Sequence, residues 1–134
     1  EYDALVLPGG HGTLWDINQD VHVQELLNEK VEEEAALVIC HAVGVLGFTE
    51  DLTEGREITG FPNKWEEGQV DENEVREGKK LPYRVEDIVK NAGADWDAEL
   101  DKEVSVRSDG NLVTARGPDS SKKGAEVFLE RLER

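Results

Sequence analysis

The chain has 134 residues, of which 37% are apolar and 34% charged, with 31 Asp and Glu against 15 Lys and Arg for a formal net charge of −16. Such a charge is repelled by nucleic acid and by anionic membrane surfaces, so neither is expected as a partner. A single cysteine excludes an internal disulfide, and the length is that of one domain able to bury a core without staples.

The chain begins with Glu1, holds no Met, and enters a buried-type strand after three residues. It therefore reads as part of a longer protein whose N-terminal portion is missing. Residues 4–7 form a continuous apolar run ended by Pro8-Gly9-Gly10. Runs without polar alternation suit strands covered on both faces, as in a parallel sheet. Residues 8–13 are then a glycine-rich loop at a strand's C-terminal end. Asp20 is placed to cap a helix over residues 21–34, with Val23, Leu26, Leu27 and Val31 as its apolar stripe and His22 on its surface.

Residues 35–40 form a second buried strand, and residues 41–47 read as a helix start. Residues 57–60 suggest a short third strand. Residues 61–80 are polar and charged, an insertion or lid with little core. Residues 82–92 read as a helix with Val85, Ile88 and Val89 inward and Gly93 as its stop. Residues 104–107 and 112–115 flank Ser108-Asp109-Gly110-Asn111, a hairpin signal. Residues 120–134 close the chain as a helix. Strands alternating with helices indicate a layered α/β fold.

Cys40 stands at the end of a buried strand, followed by a helix start and by His41. Open α/β sheets bind ligands beyond the carboxyl ends of their strands. A helix N-terminus there favours negative charge on sulfur, and an adjacent His supplies an acid or base. The same placement also suits a small buried hydrophobe, which free cysteines often are. The loop around Gly9, Gly10 and His11 ends a neighbouring strand, so its backbone N–H groups lie where an oxyanion would need them. Taken alone, it is also an ordinary strand-to-helix turn. His11, Cys40 and His41 could cluster, but no spaced metal motif is present, and no metal or cofactor is expected.

Together these residues resemble the ThiJ/PfpI superfamily, relatives of the parkinsonism-associated deglycase and of class I glutamine amidotransferase domains. The matching stretches are Leu7-Pro8-Gly9-Gly10-His11-Gly12-Thr13, Val38-Ile39-Cys40-His41, Ile58-Thr59-Gly60-Phe61, and Leu112-Val113-Thr114-Ala115-Arg116-Gly117-Pro118 with Ser120-Ser121. The Gly-Gly-His-Gly-Thr run followed by Trp15-Asp16 is most similar to the glyoxalase III and heat-shock chaperone branch. The resemblance implies one α/β/α sandwich over residues 1–134, flavodoxin-like with a mostly parallel sheet, forming the C-terminal portion of a class I glutamine amidotransferase-like domain.

It also implies a triad of Cys40 as nucleophile, His41 as acid/base and Glu66 as the group orienting His41, with Glu67 as the register alternative. Backbone donors are implied near Gly10 and His11 and at His41, with Gly9, Gly10 and His11 forming the substrate loop. Where the family often has Gly-Pro after Cys-His, this chain has Ala42-Val43. A further catalytic glutamate of the family falls in an N-terminal region that this sequence lacks, and the same protein is expected to supply it.

The function this implies is glutathione-independent conversion of methylglyoxal to lactate through a Cys40 hemithioacetal, with a small aldehyde as substrate. The alternatives are a peptidase or amidase of PfpI type and a chaperone or redox-sensing module. A homodimer is expected. No signal peptide or membrane-length apolar stretch is present, so a cytoplasmic location is expected. The acidic surface suggests a halophilic host whose cytoplasm keeps concentrated salt.

Overall fold

A computed structural model describes residues 2–70 and 81–133. Its central sheet has four strands, β1 (Leu5–Leu7), β2 (Ala36–Ile39), β5 (Val106–Asp109) and β6 (Leu112–Ala115), in the order β1-β2-β6-β5. β1, β2 and β6 run parallel, and β5 pairs antiparallel with β6. The pairing sets Leu7 beside Val38 and Val38 beside Thr114. The strand ends that precede the glycine loop and Cys40 therefore share one edge of the sheet.

Both faces of β2 are covered, which is why its sequence shows no polar alternation. Ala36 and Val38 join a core with Leu27 and Val31 of α1 (Val21–Glu33) and Val85 and Val89 of α4 (Val85–Asn91). Leu37 and Ala35 face the other way, against Val113 and Phe128 of α5 (Ser121–Leu132). The result is an α/β/α sandwich with a mostly parallel sheet.

The helices begin and end where the chain dictates. Asp20 caps α1, its carboxylate accepting from the N–H groups of His22 and Val23. Leu26, expected on the apolar stripe, is 40% exposed, whereas Leu27 and Val31 are buried. The hairpin signal resolves into a two-residue turn, with Gly110 at φ 61° and Asp109 paired to Leu112.

Several segments differ from the sequence expectation. The stretch after β2 is a 3₁₀ helix, Cys40–Gly47. Ile88 packs so closely on this turn that a Cβ on Gly47 would lie 2.5 Å from it. The expected strand at residues 57–60 is only β3 (Glu57–Ile58), which pairs in parallel with an unforeseen β4 (Asp95–Trp96). α2 (Glu50–Thr53) was also unforeseen.

The last difference bears most on the site. Residues 61–70 are not a coreless insertion. Phe61 is buried, and α3 (Asn63–Val70) carries a buried glutamate inward. Residues 71–80 of that expected lid lie outside the described residues. Among the described residues, no helix is long and apolar enough to cross a membrane.

Candidate active site

The site is built at the carboxyl end of β2. Cys40 follows directly and takes φ 59°, the left-handed region that an L-residue enters at a cost of about 1–2 kcal/mol. It is the only non-glycine residue with positive φ among the described residues. This sharp turn lifts the side chain off the strand line where the 3₁₀ helix begins. The adjacent loop makes room for it. A Cβ on Gly9 would lie 2.7 Å from the Cys40 Cβ and 2.9 Å from the Ile39 carbonyl oxygen, so only glycine fits there.

His41 is 2% exposed and lies between two partners. Its Nδ1 is 3.3 Å from the Cys40 Sγ, and its Nε2 is 2.7 Å from Oε2 of Glu66. Glu66 is 1% exposed and reaches inward from the first half of α3. Its other oxygen, Oε1, is 2.6 Å from Nε2 of His11. An ionised carboxylate only accepts hydrogen bonds, so both imidazoles donate to it through Nε2. That tautomer leaves Nδ1 of His41 bare and facing the thiol.

Aromatic packing holds the imidazole in this plane. Phe61 stacks on His41 at 4.2 Å between ring centroids, and His11 lies on it at 3.9 Å, tilted by 40°. From behind, the buried Asn18 donates through Nδ2 to the His41 carbonyl oxygen at 2.9 Å and to the Tyr83 hydroxyl at 3.0 Å. α3 is itself anchored to α4. Glu86 accepts from the Asn63 N–H at 2.9 Å, and Asp87 accepts from its side-chain amide at 2.8 Å.

Burial pushes the Cys40 thiol up to about 11. The N–H groups of His41 and Gly10 act on the sulfur in the opposite sense, and the Glu66 charge adds to the rise. The resting thiol is thus protonated at neutral pH, and ionisation needs a base in contact with it. For Glu66, burial pushes the carboxyl up, but the hydrogen bonds from His41 and His11 outweigh burial and hold it below its ordinary value. Chemically, the arrangement offers a thiol, a base aimed at it, an ionised carboxylate behind the base, and backbone N–H groups that favour charge on the sulfur.

The ligating atoms of His11, His41 and Glu66 lie within 4.8 Å of one another. A tetrahedral ion at about 2.0–2.1 Å from each ligand would hold nitrogen and oxygen about 3.3 Å apart. The observed 2.6 and 2.7 Å are hydrogen-bond lengths, so an ion would have to push Glu66 back from both rings. Cys40 faces the other nitrogen of His41 and could not join the same ion.

The structure brings together Cys40, His41, Glu66, Gly9, Gly10 and His11, all singled out from the sequence. Glu67, the register alternative, is exposed and lies 3.9 Å from Arg84. His11, expected on the substrate side, spends its Nε2 on Glu66. Sequence reasoning missed Asn18 and Tyr83. Nothing local marks either one, since the Asn18 amide gains its role only when the turn Ile17–Gln19 packs under His41.

The chain is similar to known proteins. The model of the DJ-1/PfpI family matches residues 1–131. Glutathione-independent glyoxalase HSP31 of Saccharomyces cerevisiae is 28% identical over 141 residues, covering 98% of this chain and 58% of that protein. Deglycase TK1284 of Thermococcus kodakarensis is 30% identical, covering 98% of this chain and 63% of that one. The crystal structure of the Rapid Encystment Protein 24 kDa of Francisella tularensis superposes with a TM-score of 0.86 at 27% identity, over 98% of this chain and 59% of that one. The chain thus spans less than two thirds of the length of the relatives it matches.

Proposed function

This chain belongs to the DJ-1/PfpI family, and on that premise we propose that it converts methylglyoxal to lactate without glutathione, with Cys40 as nucleophile. The observation that carries the reading is the line Cys40 Sγ, His41 Nδ1, His41 Nε2, Glu66 Oε2, with contacts of 3.3 and 2.7 Å at its two ends. A thiol held protonated by burial gains nucleophilicity only as its proton leaves, and the bare Nδ1 of His41 is the group in reach.

In this reading the sulfur attacks the aldehyde carbon, the S–C bond forms, and the thiol proton passes through His41 to the carbonyl oxygen. The product is a hemithioacetal. The hydrogen on that carbon then moves, as a proton, to the neighbouring ketone carbon while the hydroxyl proton passes to the ketone oxygen, giving a lactoyl thioester. Water cleaves the thioester, and lactate leaves as the Cys40 thiol is restored. The Gly10 and His41 N–H groups, which favour negative charge on the sulfur, are the donors we assign to the oxyanion. The carbon-to-carbon transfer needs a second base. The family resemblance puts a glutamate for it before Glu1, and we propose that the same protein supplies it. A deglycase activity, the one named for the 30% identical relative, would begin with the same attack.

The test is methylglyoxal consumption and lactate formation by the intact protein in molar potassium chloride without glutathione, beside a Cys40→Ala variant. Lactate formation that falls to background in the variant is the expected result. No turnover by either protein, with the fold intact, would overturn the reading.

A further inference from the structure

We propose that His11 is a positioning residue that clamps the second oxygen of Glu66, and so fixes His41 with its bare nitrogen toward Cys40. The inference rests on the reading of Cys40 as nucleophile and His41 as its base, and is independent of which aldehyde is used.

Glu66 presents two chemically equal oxygens, and each has an imidazole partner: His41 on Oε2 at 2.7 Å and His11 on Oε1 at 2.6 Å. A carboxylate held by one donor can rotate about its last torsion or take up a proton. Held by two, it does neither without losing a charge-assisted hydrogen bond in a buried place. His11 reaches this position because Gly10, at φ 113°, turns the chain and the Thr13 hydroxyl donates to the Gly10 carbonyl at 2.8 Å. The same loop therefore meets the site twice, through Gly9 packed against Cys40 and through His11 at the carboxylate. Loop and α3 are thereby fixed to each other across His41.

Loss of the His11 donor leaves burial to push the Glu66 carboxyl up against one remaining partner. The titratable groups facing it are His11 and His41, with Cys40 beyond His41. Lys64 and Glu67, on its own helix, are exposed. Protonated Glu66 can donate its O–H to His41 Nε2 instead of accepting from it, and the bare Nδ1 is no longer enforced. The acid limb of Cys40 reactivity then moves to higher pH.

The experiment follows the pH dependence of Cys40 alkylation by iodoacetamide in the intact protein. Peptide mapping of the labelled protein assigns the signal to Cys40, the one cysteine of this chain. Because it reads the thiol and not turnover, a failed glyoxalase reading and a failed clamp give different results. His11→Phe keeps a ring against His41 but removes the donor. His11→Gln keeps an N–H at the position of Nε2 but removes the ring. His11→Leu is a smaller donor-free variant should the Phe variant not fold.

The expected result is a roughly tenfold slower reaction near neutral pH for the donor-free variants, the usual size of one lost hydrogen bond to a charged group, with the acid limb displaced upward. The Gln variant should recover most of the rate and return the limb. Donor-free variants that keep the parent's rate and profile would overturn the proposal. So would an equal loss in all three with an unmoved limb, which would make His11 a packing residue. An alkylation-inert Cys40 in the folded parent overturns the nucleophile reading, and the clamp with it.

Discussion

At Cys40 the strained φ of 59° and the glycine beside it are two halves of one requirement. The elbow aims the thiol away from the strand only if the neighbouring loop comes in close, and the loop does so only without a Cβ at residue 9. Neither obstacle to a Gly9 Cβ, the Cys40 Cβ nor the Ile39 carbonyl, lies at the end of a flexible side chain that could swing away. Gly9→Ala should therefore destabilise the protein by roughly 1–3 kcal/mol, the range for an overpacked core position, and slow Cys40 alkylation at the same time. A denaturant midpoint equal to the parent's would refute the close approach. Much of this was legible in the sequence, because strand ends, glycines and a Cys-His pair leave local marks. Asn18 was not, because a buried amide that holds a remote carbonyl has no signature until the tertiary structure exists.

At the scale of elements, α3 shows where local reading stops. Its sequence, Asn63-Lys64-Trp65-Glu66-Glu67, is polar enough to pass for a solvated loop, and only packing shows that one glutamate of the pair turns inward. The family resemblance pointed to Glu66, whereas periodicity did not. β4 was missed for a related reason, since a two-residue strand is defined by its partner β3 and has no pattern of its own. Arg116, just past β6, ties these elements together. It is 0% exposed, and its guanidinium donates to the carbonyl oxygens of Gly60, Asp97 and Glu99. It thereby holds the segment after β4 against the segment that carries Phe61, the ring stacked on His41. Arg116→Ala should cost about 3–5 kcal/mol, as expected when a buried charged group's partners are abandoned, and should lower Cys40 reactivity through Phe61. Arg116→Lys should recover only a part, because a point charge cannot reproduce the planar fork. Urea unfolding of the three proteins measures this, and a fully restored midpoint in the Lys variant would contradict it.

Over the whole molecule two electrostatic demands oppose each other. The chain carries a formal net charge of −16, which destabilises the compact state by self-repulsion. Ion pairs such as Lys30–Glu34 and Lys90–Glu86 are too few to offset it, since acids outnumber bases by 31 to 15. Salt weakens repulsion and ion pairs alike, so with repulsion dominant it should stabilise. The screening length falls from about 10 Å at 0.1 M to about 3 Å at 1 M. The buried carboxylates ask for the reverse of what the surface asks. Burial pushes Glu66 and Asp97 up, but their partners outweigh it and hold both below their ordinary values of 4.5 and 3.8. Groups depressed in the folded state stabilise it above the unfolded pKa, and that contribution is lost as pH falls through the folded value. Acidification therefore relieves the surface while it undoes the interior. Potassium chloride raised from 0.1 to 1 M at pH 7 should lift the melting temperature on the order of 5 °C. In molar salt, with repulsion already screened, stability should fall steadily below about pH 4.5. In dilute salt the same fall should be blunted by the repulsion that surface protonation removes. Melting curves over both variables decide the point: a temperature unchanged by salt at pH 7 would mean that surface repulsion does not limit this fold.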